Sequence, residues 1–241
     1  MKKAGMVLWV VSSLAIAASA AAQSSVAHGG VAVKIGVLGA GVDVAVPVGH
    51  KVNVRAGFSG FSLSHAFDND GITLDASLKL RTASASLDWF PLGGGFHLSP
   101  GVMLYNGNEA TAVASVPAGR TFTLGNQDFT SDPAKPVTGT VAITFERRVA
   151  PSLMLGWGNI VPRSGRHWSV PFELGVVYAK APTAVLGLSG NACDTRGLTC
   201  RSITTDAGLQ AEVRAQEAKI NDTIDVLKVL PVFSIGLAFS F

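Results

Sequence analysis

Lys34, Asp43, Arg55, Asp75, Lys79, Arg81, Asp88 and Glu173 occupy the polar phase of segments whose alternate positions are apolar. If the apolar phase faces lipid, these eight charges point into a common interior. Charges of both signs in a narrow, low-dielectric space can pair, and each is costly if left single. Two outcomes are open from the residues alone: a salt-bridged plug with structural meaning, or the wall of a small water-filled pore. An eight-stranded closed sheet is just wide enough for side chains to fill, which favours the plug.

Other reactive residue types give weaker patterns. His28, His50, His65, His97 and His167 show no metal-ligand spacing, so no metal or cofactor is expected. His97 with Ser99, or His65 with Ser64 and Asp68, could in principle assemble a hydrolytic triad. No Gly-x-Ser-x-Gly elbow accompanies them, and serines and histidines near turns are common, so no catalytic residue is assigned. Cys193 and Cys200 stand close together in a polar loop with no further ligand beside them. In an oxidising compartment a local disulfide is expected.

These side chains are held by segments of period two. Phe233, Ile235, Leu237, Phe239 and Phe241 alternate with Ser234, Gly236, Ala238 and Ser240. Large apolar residues on one face and small or polar ones on the other is what a lipid-facing barrel strand requires. The pattern recurs at 31–37, 42–48, 52–63, 72–89 and 96–104. It recurs again from Val137 to Phe145, resuming in phase at Leu153 to Trp157, and from Trp168 to Tyr178, resuming at Leu186 and Leu188. The phase slips across Gly39-Ala40-Gly41, across Gly60 and near Arg81, where a bulge or a reversal is expected.

A chain reversal at 39–41 makes eight strands, the even number that single-chain bacterial barrels have, with ten as the alternative. It also puts the long connections 64–71, 115–136 and 190–230 at one end, and the turns 47–51, 91–95 and 159–166 at the other. Trp89, Phe90, Trp157 and Trp168 lie at segment ends, as an interfacial aromatic girdle predicts. Segment 115–136 is rich in Thr, Gly, Pro and Asp with few apolar anchors, and mobility is expected there. In the last connection, Leu209, Val213, Ile220, Ile224 and Leu227 recur at helical spacing behind Asp206. The spacing predicts a helix over about 206–228 that packs on the protein rather than on the membrane.

Composition agrees with export to a membrane. Lys2 and Lys3, the apolar run Met6 to Ile16 and Ala20-Ala21-Ala22 read as a signal peptide spanning 1–22, leaving 23–241 as one barrel domain. Charged residues are only 15% of the chain, hydrophobic residues are 48%, and glycine is abundant at 27. No later stretch has the length of a transmembrane helix, so a closed barrel is the remaining way to satisfy the backbone in lipid. The formal net charge of +3 falls near +1 once Lys2 and Lys3 are removed, which argues against a nucleic-acid partner.

The stretch from Leu87 through Asp-Trp-Phe-Pro-Leu-Gly-Gly-Gly to Asn108, the glycine turn Gly36 to Gly41, and the ending Pro231 to Phe241 resemble a group of small outer-membrane β-barrel proteins of Gram-negative bacteria, described as OmpA-like or porin-like. The resemblance spans most of residues 23–241. It implies an all-β, antiparallel up-and-down transmembrane barrel in the cell outer membrane, with membrane lipid as its surroundings. It further implies that the terminal strand, with Phe233, Ile235, Leu237, Phe239 and Phe241, is read by the barrel-assembly machinery. Such members often end in an aromatic residue followed by Arg-Phe; here Ser240 stands in the arginine's place. No catalytic motif comes with the resemblance. The function expected is a structural or interaction role with a mostly plugged interior; a narrow channel is the alternative, and a lipid-modifying enzyme stands behind both. The partners of the long loops cannot be read from the residues.

Overall fold

The computed structural model describes residues 28–69, 72–195 and 199–241; the signal peptide expected at 1–22 lies outside them. Alternation of large apolar and small residues produces sixteen strands and one α-helix. In chain order the strands are β1 (Gly30–Gly36), β2 (Gly39–Gly49), β3 (Val52–Asn69), β4 (Ile72–Trp89), β5 (Phe96–Asn106), β6 (Glu109–Val116), β7 (Thr121–Leu124) and β8 (Gln127–Ser131). There follow β9 (Val137–Thr144), β10 (Ala150–Trp157), β11 (Trp168–Ser169), β12 (Phe172–Tyr178), β13 (Thr183–Ser189), β14 (Asn191–Cys193) and β15 (Cys200–Ser202). Helix α1 (Ala207–Ile224) and a 3-10 turn (Asp225–Lys228) then lead into β16 (Val229–Ser240).

Eight of these strands close an antiparallel barrel in the order β1-β2-β3-β4-β5-β10-β12-β16, with β16 returning to β1. The first two are separated by a tight reversal at Val37 and Leu38, where Gly39 takes a φ of +97° that suits glycine. Pairing β1 with β16 leaves the barrel no open edge. Its outer face is apolar and exposed: Val33, Ile35, Val44, Leu87, Leu155, Leu174 and Ile235 all project from it. A soluble monomer rarely exposes a continuous surface of this kind, whereas a bilayer requires one. No helix is long and apolar enough to cross a membrane among the described residues.

The hairpin β3–β4 is longer than the barrel wall. β3 pairs with β2 only up to Gly60, and β4 pairs with β5 only from Thr82 onward. Above those points β4 pairs with β6, β6 with β9, and β9 with β13, so a second sheet stands on the barrel rim. The phase slips at Gly60 and Arg81 mark this departure. Neither is a reversal, because β3 and β4 keep one unbroken register from Val52↔Trp89 to Asn69↔Ile72, while next to Arg81 the β4–β5 pairing shifts register between Ala83 and Ser84. Instead the apolar side chains change face. Below, Phe58 and Leu87 point out of the barrel; above, Phe61, Leu63, Leu78 and Leu80 lie on the face continuous with the lumen. On the same face of the raised sheet lie Ala112, Val141 and Leu186, placed there by cross-strand pairing.

Part of that apolar face is covered. Leu186 and Leu188 of β13 pack against Leu209 and Val213 of α1, together with Leu124, Phe129 and Ile203. The helix therefore docks on the raised sheet, as an amphipathic stripe of that width demands. Segment 115–136, where mobility was expected, forms the β7–β8 hairpin, because its apolar residues Phe122, Leu124 and Phe129 are enough to anchor it to this cluster. The two in-phase runs read as extended strands are each divided. β9 and β13 belong to the raised sheet, while β10 and β12 belong to the barrel.

Candidate functional site

The inward-facing phase of the lower barrel converges on Arg55. Its guanidinium takes Asp43 of β2, Asp88 of β4 and Glu173 of β12: Nη1 lies 2.7 Å from Glu173 Oε2 and 3.3 Å from Asp43 Oδ2, and Nη2 lies 2.9 Å from Asp88 Oδ1. A second, shorter contact joins Nη2 to Glu173 Oε1, making that pair bidentate. Lys34 of β1 holds the other oxygen of Asp43 at 2.7 Å. Ser99 of β5 donates to Asp88 Oδ1 at 2.7 Å, and Ser86 donates to the same oxygen at 3.3 Å. His97 hydrogen-bonds the Gly95 carbonyl through Nδ1 at 3.1 Å and presents Nε2 to Glu173 at 3.4 Å.

This layer exists because the barrel leaves room for it. A Cβ on Gly57 would collide with Asp43 Oδ1, and one on Gly156 would collide with His97 Nε2. All three carboxylates are buried, so the charges are held in a medium where each depends on its partners. Six strands, β1 to β5 and β12, are bound across the lumen by it.

Two further layers close the ends. Toward the short turns, the 158–167 connection folds inward and buries Ile160 and Val161 against Ala32, Ala45 and Ala238. Asn159 Oδ1 receives Asn53 Nδ2 and the Val161 amide, each at 2.9 Å, pinning the connection to β3. Arg163 donates to Gly49 O at 2.8 Å and to Asn53 Oδ1 at 3.1 Å, and lies over the Phe90 ring. Phe90, expected in the aromatic girdle, is thus buried beneath this plug, since its strand has already ended at Trp89 and its ring packs against His97. Toward the raised sheet, Met103, Val177 and Val232 form an apolar layer with Leu38 and Leu230. Between the ionic and apolar layers is a cavity of about 70 Å³, bordered by Lys34, Arg55, Ser59, Ser84 and Met154. It has room for a few water molecules and no more.

Of the eight charges read as interior, the structure brings together Lys34, Asp43, Arg55, Asp88 and Glu173. It does not place Asp75, Lys79 or Arg81 with them. Asp75 and Arg81 are exposed, and all three lie on the odd face of β4 at or above the level where it leaves the barrel. Taking the apolar phase as lipid-facing throughout puts them inside; because the apolar residues change face at Arg81, the unbroken strand carries them on the same face as outward Leu87. Asn53, His97, Ser99 and Asn159 join the interior network without having been singled out for it. The first three share the inward phase of their strands, whereas Asn159 comes from a turn that no periodicity marks.

The triads considered from sequence are not assembled among the described residues. Ser99 gives its hydroxyl proton to Asp88, and Ser64 gives its own to Ser77 at 3.1 Å, while His65 packs on the Phe67 ring. Cys193 and Cys200 are joined as a disulfide linking β14 to β15. Asp132 comes close to both sulfurs, but these are bonded to each other and are not free thiolates for a metal. Phe233, Ile235 and Leu237 project outward from β16, Phe241 is exposed just past its end, and Phe239 is partly covered by Trp168 and His167.

No protein-family model matches the chain, and no curated protein matches it in sequence. Solved structures do. CarO of Acinetobacter baumannii is 25% identical, with a TM-score of 0.59 over 91% of this chain and 100% of that one. CarO2 of the same organism is 21% identical, with a TM-score of 0.58 over 90% of this chain and 99% of that one. The closed antiparallel eight-strand barrel is the architecture of a small outer-membrane barrel, the class that the turn motif and terminal strand resemble.

Proposed function

We propose that this chain is an integral outer-membrane barrel whose lumen is sealed and whose role is exerted by the sheet and helix raised above the rim. The observation that carries the reading is the clamp of Asp43, Asp88 and Glu173 on the one guanidinium of Arg55. A pore lined by charges keeps them hydrated and apart; here they are bonded to each other across the axis, with an apolar layer on one side and the Asn53–Asn159 plug on the other. The exposed apolar wall supports membrane lipid as its surroundings, and the outward apolar residues of β16 support recognition by the barrel-assembly machinery during insertion. Export by a cleaved leader at 1–22 belongs to the same reading.

Planar-bilayer recording on the purified barrel tests it. The expected result is no unitary conductance above the membrane background, with conductance emerging in a variant lacking the Asn159–Arg163 plug and Arg55 together. Steady unitary currents from the unaltered chain would sink the sealed reading and leave the narrow channel in its place.

A further inference from the structure

The barrel wall divides at Arg81. Below it β4 pairs with β5, and above it β6 takes the place of β5. The backbone closes the fork through Gly107 N to Arg81 O at 2.8 Å and Arg81 N to Asn108 Oδ1 at 3.0 Å. A cleft of about 250 Å³ opens at this fork, bordered by Lys79, Arg81, Tyr105, Asn106, Glu109 and Arg148 among others. Three of these are cations and one is a carboxylate. Although Glu109 stands opposite Lys79 in register, no ion pair joins them among the described residues. Arg148 lies over the Tyr105 ring at 5.9 Å.

Asn106 supplies a separate observation. It is 3% exposed, its Oδ1 accepts the Asn108 amide at 3.2 Å, and its Nδ2 finds no acceptor among the described residues. A buried amide donor without an acceptor is costly and uncommon. Three cations around one cleft fit an anion with several acceptor oxygens, and Asn106, which by pairing with Thr82 lies on the lumen-side face, borders the same cleft with its spare donor.

The cleft's height on the wall selects the anion's source. Lys79 and Arg81 share the odd face of β4 with Leu87 and Trp89, which project from the barrel's outer wall; Tyr105 joins that face by pairing with Ala83. The cations begin where the apolar belt stops, at the level of headgroups, with an aromatic residue at the boundary. We propose that this cleft binds the phosphate of an anionic lipid headgroup in the leaflet at the raised-sheet end. The inference rests on the membrane reading above and names a ligand for its rim.

The test uses the chain purified from membranes in detergent, with heat-modifiable gel migration as the sign of a folded barrel. Binding is titrated with short-chain phosphatidic acid, with phosphatidylcholine of equal chain length, and with inorganic phosphate. Phosphatidic acid is expected to bind saturably and at least about tenfold more tightly than either of the others. Arg81→Gln and Arg148→Gln are each expected to weaken it about tenfold. Asn106→Asp keeps the side-chain shape but exchanges the spare donor for an acceptor, and is expected to weaken it at least as much. Arg214→Gln, on α1, removes one charge elsewhere and is expected to change nothing. Inorganic phosphate binding as tightly as the lipid would overturn the lipid source. A folded barrel that binds none of the three would overturn the site while leaving the membrane reading intact. Recovery of the chain in water without detergent would overturn both.

Discussion

Arg55 of β3 and Glu173 of β12 are bonded across the barrel axis, Nη1 to Oε2 at 2.7 Å, although 118 positions separate them in sequence. The two strands are not neighbours in the wall, so this contact ties opposite sides of the cylinder. Asp88 and Asp43 hold the same guanidinium from strands beside β3. Replacing Arg55 with Met leaves three buried carboxylates with Lys34 as the remaining cation of the layer. The expected cost is about 3–5 kcal/mol, because a broken buried pair strands the partner's charge. Denaturant unfolding in detergent micelles measures it. The double variant Arg55→Met with Glu173→Gln should recover part of the loss, and failure to recover any would show that the pair is not coupled.

The plug at the short-turn end carries its own prediction. Ile160 and Val161 are buried against the inward faces of β1, β2 and β16. Ile160→Ala is expected to cost about 2–4 kcal/mol through lost contact and an unfilled cavity. It should also admit reagents. A cysteine at Ala238, which is fully buried beneath the plug, should react slowly with a charged thiol reagent in the parent chain and at least about tenfold faster with Ile160→Ala present. Equal rates in both would mean that the connection does not close the barrel.

Much of the barrel could be read from period two. The alternation in β16 follows from the requirement that one face be apolar, and the reversal before Gly39 follows from the even strand number that a single-chain bacterial barrel needs. The raised sheet did not follow, for a physical reason. A period-two pattern tells which face of a strand is apolar but not what lies opposite that face. Phe61, Leu63, Leu78 and Leu80 keep strict alternation while facing a different neighbour from Phe58 and Leu87, so the pattern slips without the strand breaking. Val141 and Leu186 hold the same phase as their sequence neighbours in β10 and β12 for the same reason, so periodicity alone does not separate the raised sheet from the wall. Of the charges in the polar phase, Lys34, Asp43, Arg55, Asp88 and Glu173 meet where the wall is single, whereas Asp75, Lys79 and Arg81 lie apart from them where it forks.

Helix α1 begins on a titratable cap. Asp206 accepts the Leu209 amide at 2.9 Å, which, with added attraction from Arg201, holds its carboxyl below the ordinary carboxylate range. A depressed value in the folded state means the capping contribution is fully present above the unfolded value of about 3.9. It is lost as pH falls through the depressed folded value. The protection of the Leu209 amide, the slowing of its exchange relative to an unstructured amide at the same pH, should therefore fall on acidification, and Asp206→Asn, which caps without titrating, should remove that dependence. Proton-detected exchange in micelles reads both. An unchanged acid response in Asp206→Asn would assign the effect to another carboxylate.

The outer edge of β13 is satisfied by side chains. On one side β13 pairs with β9; on the other, α1 supplies Asn221, whose Oδ1 accepts the Ala184 amide at 2.8 Å and whose Nδ2 donates to the Ala184 carbonyl at 3.1 Å. One turn earlier on the helix, Glu217 Oε2 accepts the Leu186 amide at 2.9 Å. Two side chains thus imitate a neighbouring strand and blunt an edge that would otherwise template pairing with another chain. Asn221→Ala with Glu217→Ala leaves two backbone donors and one acceptor to solvent or to a passing strand. Each lost partner is expected to cost about 1–3 kcal/mol if the group stays buried, and less if water reaches it. Exchange of the Ala184 and Leu186 amides should rise about tenfold or more, while amides of the β1–β16 pair keep their rates. Cross-linking in detergent should also show more dimer, since the freed edge can pair with its own copy. Unchanged exchange at both amides would mean that the apolar contacts of Leu209 and Val213, rather than these side chains, hold the edge closed.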